Sequence, residues 1–127
     1  HDGDLDGLLS GMLLQKLSGT LFGEEIRLLG YQTHAWHSRC LRENSAWVSD
    51  LAFEERMDRI NWVIIDHHIT EPNLPEAYSI INPNRFDEES KLGYLSAAGV
   101  CFLTLVALDR KLRENNIKSK IFRRNSI

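Results

Sequence analysis

Trp62-Val63-Ile64-Ile65-Asp66-His67-His68 decides how this chain is read. Four apolar residues, three of them β-branched, run without a break into an acid and two adjacent histidines. Such a run predicts a strand covered on both faces, as in a parallel sheet. Ligands of open α/β sheets collect beyond the carboxyl ends of these strands, which is where Asp66, His67 and His68 stand. A loop-capping role fits the same three residues, so the flanking sequence has to decide between them.

Outward from that strand, the pattern alternates. Upstream, 46–50 reads as a short strand ending on Asp50, and 53–59 as a helical crossover with Glu54, Glu55, Arg56, Asp58 and Arg59 on its wet side. Further back, 25–33 reads as a strand with Ile26, Leu28 and Gly30 toward the core. A helix is predicted over 8–17, with Leu9, Leu13 and Leu17 on one stripe, Met12 beside it and Gly19 as its stop. Downstream, 77–81 reads as a strand that turns at Asn82-Pro83-Asn84. The longest helical pattern covers 91–115, with Leu92, Leu95, Val100, Leu103 and Val106 among its apolar positions. Ala97, Ala98 and Gly99 are small enough for close approach to a sheet or ligand. Strand and helix in alternation predict an α/β fold, a parallel β-sheet flanked by helices.

With 127 residues, 43% hydrophobic and 26% charged, the chain has the make-up of one globular domain. A net charge of −3 gives no overall pull toward nucleic acid or anionic membrane. Only the tail is basic (Lys118, Lys120, Arg123, Arg124), and it reads as a solvated end. Cys40 and Cys101 form neither a disulfide framework nor a metal spacing, which fits a reducing, cytoplasmic setting. The longest mostly apolar run, 99–108, is too short to span a bilayer. His34 and His37, beside Trp36, have the spacing of a metal pair on a helix, but structural or surface histidines account for them as well.

Asp2-Gly3-Asp4-Leu5-Asp6-Gly7 reads as a loop and matches the opening of an EF-hand. That motif needs a bidentate Glu at its twelfth position, and Leu13 stands there, so the EF-hand is excluded. Three carboxylates on one tight loop repel one another, and a cation is the natural way to keep them charged. In a parallel sheet the strand ends open to one side, so this loop, Asp50 and the histidines can converge. Carboxylates mixed with imidazoles suit manganese, and two ions about 4 Å apart are usual in phosphoryl transfer.

Taken in order, Asp-x-Asp-x-Asp-Gly at 2–7, the strand-end Asp50 and Asp66-His67-His68 resemble the DHH phosphoesterase superfamily. Ile80-Ile81-Asn82-Pro83-Asn84-Arg85, followed by Ser96-Ala97-Ala98-Gly99-Val100, is similar to its RecJ-like branch of single-stranded-DNA-specific exonucleases. The resemblance implies a two-ion manganese site, with magnesium as a substitute. It implies metal ligation by Asp4, Asp6 and His67, with Asp2 at a place held by Asp or His in relatives and Asp50 bridging the ions. His68 would ligate or contact phosphate, Asp66 would orient its neighbours, and these two are the catalytic candidates. Asn82, Asn84, Arg85 and Gly99 are the candidate substrate-binding residues.

The implied activity is hydrolysis of single-stranded nucleic acid from the 5′ end, as in DNA repair. The alternatives are a phosphoesterase of short oligoribonucleotides, cyclic dinucleotides or pyrophosphate, and a non-catalytic scaffold, which the retained acids disfavour. The resemblance also brings departures. A fourth metal-site Asp, a second substrate-gripping domain and the strand leading into the first motif are not seen, and Asp109 lies inside a helix. Residues 1–127 are therefore expected to be a DHH-type domain incomplete at both ends, the core of a longer protein and inactive alone. The gap from Asp50 to His67 is shorter than in bacterial RecJ, and Asp50-Leu51-Ala52-Phe53 is closer to other branches. Oligomeric state is not indicated.

Overall fold

The apolar run at 62–65 forms the middle strand of a parallel sheet in the computed structural model, which describes residues 1–23, 26–30, 44–53, 57–119 and 121–122. The strands β1 (Ala46–Ser49), β2 (Trp62–Ile65) and β3 (Ser79–Ile81) stand in the order β1-β2-β3. Val48 opposes Ile64, which opposes Ile80; Ser49 opposes Ile65, which opposes Ile81. Alternation across the pleat gives each row to one face. Val48, Ile64 and Ile80 cluster with Trp62, Leu51 and Met57, whereas Ile65 and Ile81 cluster with Leu14, Val100 and Cys101. Both faces of β2 are thus apolar, which is why its sequence does not alternate. Ile64 and Ile65 are fully buried, each contributing about 1.5–3 kcal/mol of transfer free energy. The fold is α/β, with helices against a parallel sheet, as the pattern predicts.

Helix α1 (Leu5–Phe22) is longer than the predicted 8–17. The acidic loop does not run on to Gly7, because Asp4 already caps the helix by accepting from the Gly7 amide at 2.8 Å. Gly7 lies in the first turn, where a side chain would come within 2.8 Å of the Asp2 carbonyl carbon. Its lack of one lets the loop fold tightly over the helix start. Gly19 does not stop the helix, which continues to Gly23 at φ 66°, a left-handed cap that glycine adopts freely.

The buried stripe of α1 also differs from the prediction. Ser10, Leu14, Leu17 and Ser18 face inward, while Leu9 and Met12 are 45% and 52% exposed. The cause is Ser10, whose hydroxyl lies 2.9 Å from Ser49 Oγ on β1. This small polar pair brings helix and strand close together and sets the rotation of α1.

Helix α2 (Ala97–Glu114) starts six residues later than the predicted 91. Lys91 adopts a left-handed φ of 60°, and Ser96 caps the helix by accepting from Gly99 N–H at 3.2 Å. Its buried residues are Ala97, Val100, Cys101, Leu105 and Asp109, so Val100 lies in the core as predicted while the predicted core positions Leu103 and Val106 stay exposed. Both helices pack on the Ile65 face of the sheet and on each other, where Leu17 of α1 and Leu105 of α2 cluster with Ile121 from beyond α2. The other face is covered by Leu51, Phe53 and Met57 from the β1–β2 connection.

Of the strand predicted over 25–33, residues 26–30 are described and form none. The Ile26 carbonyl accepts instead from Gln15 Nε2 at 2.9 Å. Of the helix predicted over 53–59, residues 54–56 lie outside the described residues and 57–59 make a tight turn, with Arg59 N–H on the Met57 carbonyl at 2.7 Å. His34, Trp36, His37, Cys40, Lys120, Arg123 and Arg124 also lie outside the described residues. No helix among the described residues is long and apolar enough to cross a membrane.

Candidate metal centre

The carboxyl ends of β1 and β2 deliver Asp50 and Asp66-His67-His68 one residue past each strand. Asp50 still donates its amide to the Ile65 carbonyl at 3.2 Å, then turns into the left-handed region at φ 57°. Asp tolerates that conformation better than most residues. Its side chain is buried, with Oδ1 3.1 Å from His67 Nε2. Its Oδ2 is a buried side-chain oxygen without a hydrogen-bond partner among the described residues. Such an atom is rare because leaving it unmatched is costly, and a bound ion is one accepted way to match it.

Asp66 is also buried, but all its bonds stay within its own turn and β3. It accepts from the His68 amide at 3.2 Å, from His68 Nδ1 at 2.8 Å and from Asn82 Nδ2 at 3.4 Å. Asn82 is 3% exposed and also donates to the His68 carbonyl at 3.0 Å. The two histidines therefore face different partners. His68 is tied to Asp66 through Nδ1, whereas His67 meets the Leu95 carbonyl through Nδ1 at 3.2 Å and points Nε2 toward Asp50.

The acidic loop completes the cluster from the helix side. Asp6 accepts from the amides of Ala97 and Ala98, each at 2.8 Å, and lies 3.7 Å from His67 Nε2. A carboxylate from the first turn of α1 thus satisfies the free amides at the start of α2, where its charge is also favoured. Asp2 folds its own loop by accepting from Gly3 N–H at 2.6 Å. Ligand atoms of Asp50, His67 and His68 lie within 4.8 Å of one another, and so do those of Asp2, Asp4 and Asp50. Asp50 belongs to both groups.

The electrostatics follow from that crowding. Burial, then the charges of Asp4 and Asp6, push the Asp50 carboxyl up to about 7, against opposition from His67 and His68. Burial also works against ionised Asp6, but the Ala98 and Ala97 amides, the Ser96 hydroxyl and His67 outweigh it and hold the acid below its usual range. Burial pulls His68 down, yet its hydrogen bond to Asp66 and the carboxylates of Asp66, Asp50 and Asp2 leave it above its ordinary value. Burial, with Asp6 and Asp50, drives the Cys101 thiol to about 12, so it stays protonated in the core.

All six residues predicted as metal ligands, Asp2, Asp4, Asp6, Asp50, His67 and His68, are brought to this one end of the sheet. The predicted substrate-binding residues are placed less uniformly. The Asn82 side chain is fully engaged, with Oδ1 accepting from the Asn84 amide at 2.8 Å. Arg85 forks onto Asp87 at 2.9 and 2.6 Å and donates to the Ile80 carbonyl at 3.0 Å. A Cβ on Gly99 would make only ordinary contacts, 3.5 Å or more, with its neighbours. The supports that sequence reasoning missed are Ser96, Leu95 and the Ser10–Ser49 pair. A Ser just before a helix is a recognisable cap, but the backbone carbonyl of Leu95 leaves no mark on a sequence.

Comparison with known proteins gives a partial likeness. Over 52 residues the chain is 40% identical to the single-stranded-DNA-specific exonuclease RecJ of Salmonella typhimurium. That stretch is 41% of this chain and 9% of the relative, so the match spans less than a tenth of the exonuclease's length. No family model matches the chain, and no solved structure matches it at a significant level.

Proposed function

We propose that this chain carries the metal-binding core of a phosphoesterase that hydrolyses phosphodiester bonds in single-stranded nucleic acid, a nuclease of the RecJ type working from the 5′ end. The partial likeness to an exonuclease supports the class of reaction. The observation that carries the reading is Asp50, buried, lacking a hydrogen-bond partner for one oxygen among the described residues, and common to two groups of candidate ligands. An arrangement of that kind fits a pair of divalent cations, and the mixed oxygen and nitrogen donors suit manganese, with magnesium as a substitute. Asp50, His67 and His68 would hold one ion and Asp2, Asp4 and Asp50 the other.

When bound, the ions would supply Lewis-acid activation of the attacking water and offset charge on the phosphoryl oxygens. The chain's own residues set up the rest. The Leu95 carbonyl accepts a hydrogen bond from His67 Nδ1, which in the neutral ring leaves the Nε2 lone pair for the ion. Asp66 grips His68 through Nδ1 and the backbone amide, which fixes the ring and leaves Nε2 of its neutral form for the ion. Asp6, with both oxygens on the α2 amides, fixes the helix start against the site.

The test is hydrolysis of single-stranded DNA by the full-length protein with manganese, alongside Asp50→Ala. Loss of at least about 100-fold is expected, in line with removing a ligand common to both ions. Undiminished activity in the variant would eliminate the shared-ligand assignment.

A further inference from the structure

Asn84 lies in the turn that follows β3, and its amide side chain joins two segments that are far apart in sequence. Its Nδ2 donates to the His67 carbonyl at 2.6 Å and to the Gly93 carbonyl at 3.1 Å. Two residues beyond Gly93, the Leu95 carbonyl meets His67 Nδ1 at 3.2 Å. The same side chain therefore holds the backbone of His67 and the backbone that supplies the partner of its ring. Gly93 is fitted to this bracket, since a Cβ there would run into Asn84 Oδ1. The Asn84 backbone is fixed in turn, its amide bonded to Asn82 Oδ1 at 2.8 Å and its carbonyl accepting from Thr70 Oγ1 at 3.4 Å.

A carbonyl can only accept, so the Leu95 contact selects the imidazole tautomer that carries its proton on Nδ1. Nε2, which stands 3.1 Å from Asp50 Oδ1, is the nitrogen that this tautomer leaves free for a cation. We infer that Asn84 is a positioning residue that sets the tautomer of His67 through the 93–95 segment, and thereby the affinity of the centre for its cation, rather than a residue that touches substrate. The cation part of this inference rests on the proposed function; the tautomer part does not.

The experiment uses the full-length protein labelled with 15N-histidine, free of metal, with the His67 ring signal assigned by its loss in His67→Gln. Long-range 1H–15N correlation should show His67 protonated on Nδ1 in the parent, and a mixture of tautomers in Asn84→Ala and in Gly93→Ala. Manganese titration followed by electron paramagnetic resonance should show affinity about 10–100-fold weaker in both, the usual cost of losing such a support. The double variant should be no weaker than Asn84→Ala, because both substitutions break one bracket. Unchanged tautomer in folded Asn84→Ala and Gly93→Ala would overturn the inference, as would additive losses in the double variant. A parent that binds no manganese but shows the tautomer shift would instead overturn the proposed function and leave the positioning role standing.

Discussion

Asp50→Asn should stabilise the metal-free protein at alkaline pH and weaken it in manganese. In the folded chain the Asp50 carboxyl is raised from its ordinary 3.8 to about 7, first by burial and then by Asp4 and Asp6. The unfolded chain releases that proton near 3.8 and the folded chain holds it until about 7. Between those values the native state binds more protons, so stability falls as pH rises through the window and levels off above it. At about 1.36 kcal/mol per pH unit, the full effect is on the order of 4 kcal/mol. An amide cannot ionise and escapes this loss. Its advantage over the parent should therefore grow by roughly 3 kcal/mol between pH 5 and pH 8, in urea unfolding with a chelator present. Manganese at about 100 times its dissociation constant should return roughly 2.7 kcal/mol to the parent and little to the variant, so the order of stabilities narrows or reverses. A variant whose stability difference from the parent is the same at pH 5 and pH 8 would refute the account of a repelled, buried carboxylate.

Three further substitutions test other parts of the construction. Asp6→Ala strips the Ala97 and Ala98 amides of their acceptor and should cost about 1–2 kcal/mol at neutral pH. Because the Asp6 carboxyl is depressed in the folded state, that cost should shrink as pH falls below 3.8; a pH-independent difference in chemical denaturation would count against it. Gly19 inside α1 and Gly23 at its C-cap should behave oppositely: Gly19, with nothing within 4 Å of an added Cβ, should gain about 0.5–1 kcal/mol on replacement by Ala. Gly23→Ala, at φ 66°, should lose about 1 kcal/mol, both read as shifts in thermal midpoint.

The sheet was legible because its signals are local. An unbroken apolar run with three β-branched residues marks β2, a short apolar stretch marks β1, and an acid follows the end of each directly in sequence. Helix limits were less legible because capping competes with hydrophobic pattern. Leu92 and Leu95 extend the apolar pattern ahead of α2, but Lys91 in a left-handed conformation and the Ser96 cap keep 91–96 out of the helix. The facing of α1 could not be read from its leucines. It depends on a contact between Ser10 and Ser49, thirty-nine residues apart, that brings the helix down on small side chains. The candidate substrate residues show a similar limit: Asn82 and Asn84 carry polar groups at a strand exit, and only the fold shows those groups bonded to Asp66, His67, His68 and Gly93.

The alternating acids at 2, 4 and 6 look equivalent in sequence, yet each has a separate task in the fold. Asp2 closes its own loop, Asp4 starts α1 and Asp6 braces the start of α2. None of these tasks uses up a carboxylate, because two oxygens offer about four lone-pair sites and the bonds to amide protons occupy one or two. What remains is held in place by the helix starts before any cation arrives. Binding therefore need not order these side chains, and the entropy of fixing them is already part of folding. The cost appears at Asp50 instead, where burial and the charges of Asp4 and Asp6 meet on a carboxylate that is poorly matched among the described residues. A protein built this way stores its preference for a cation in one strained group, while the capping acids keep the rest of the centre in shape.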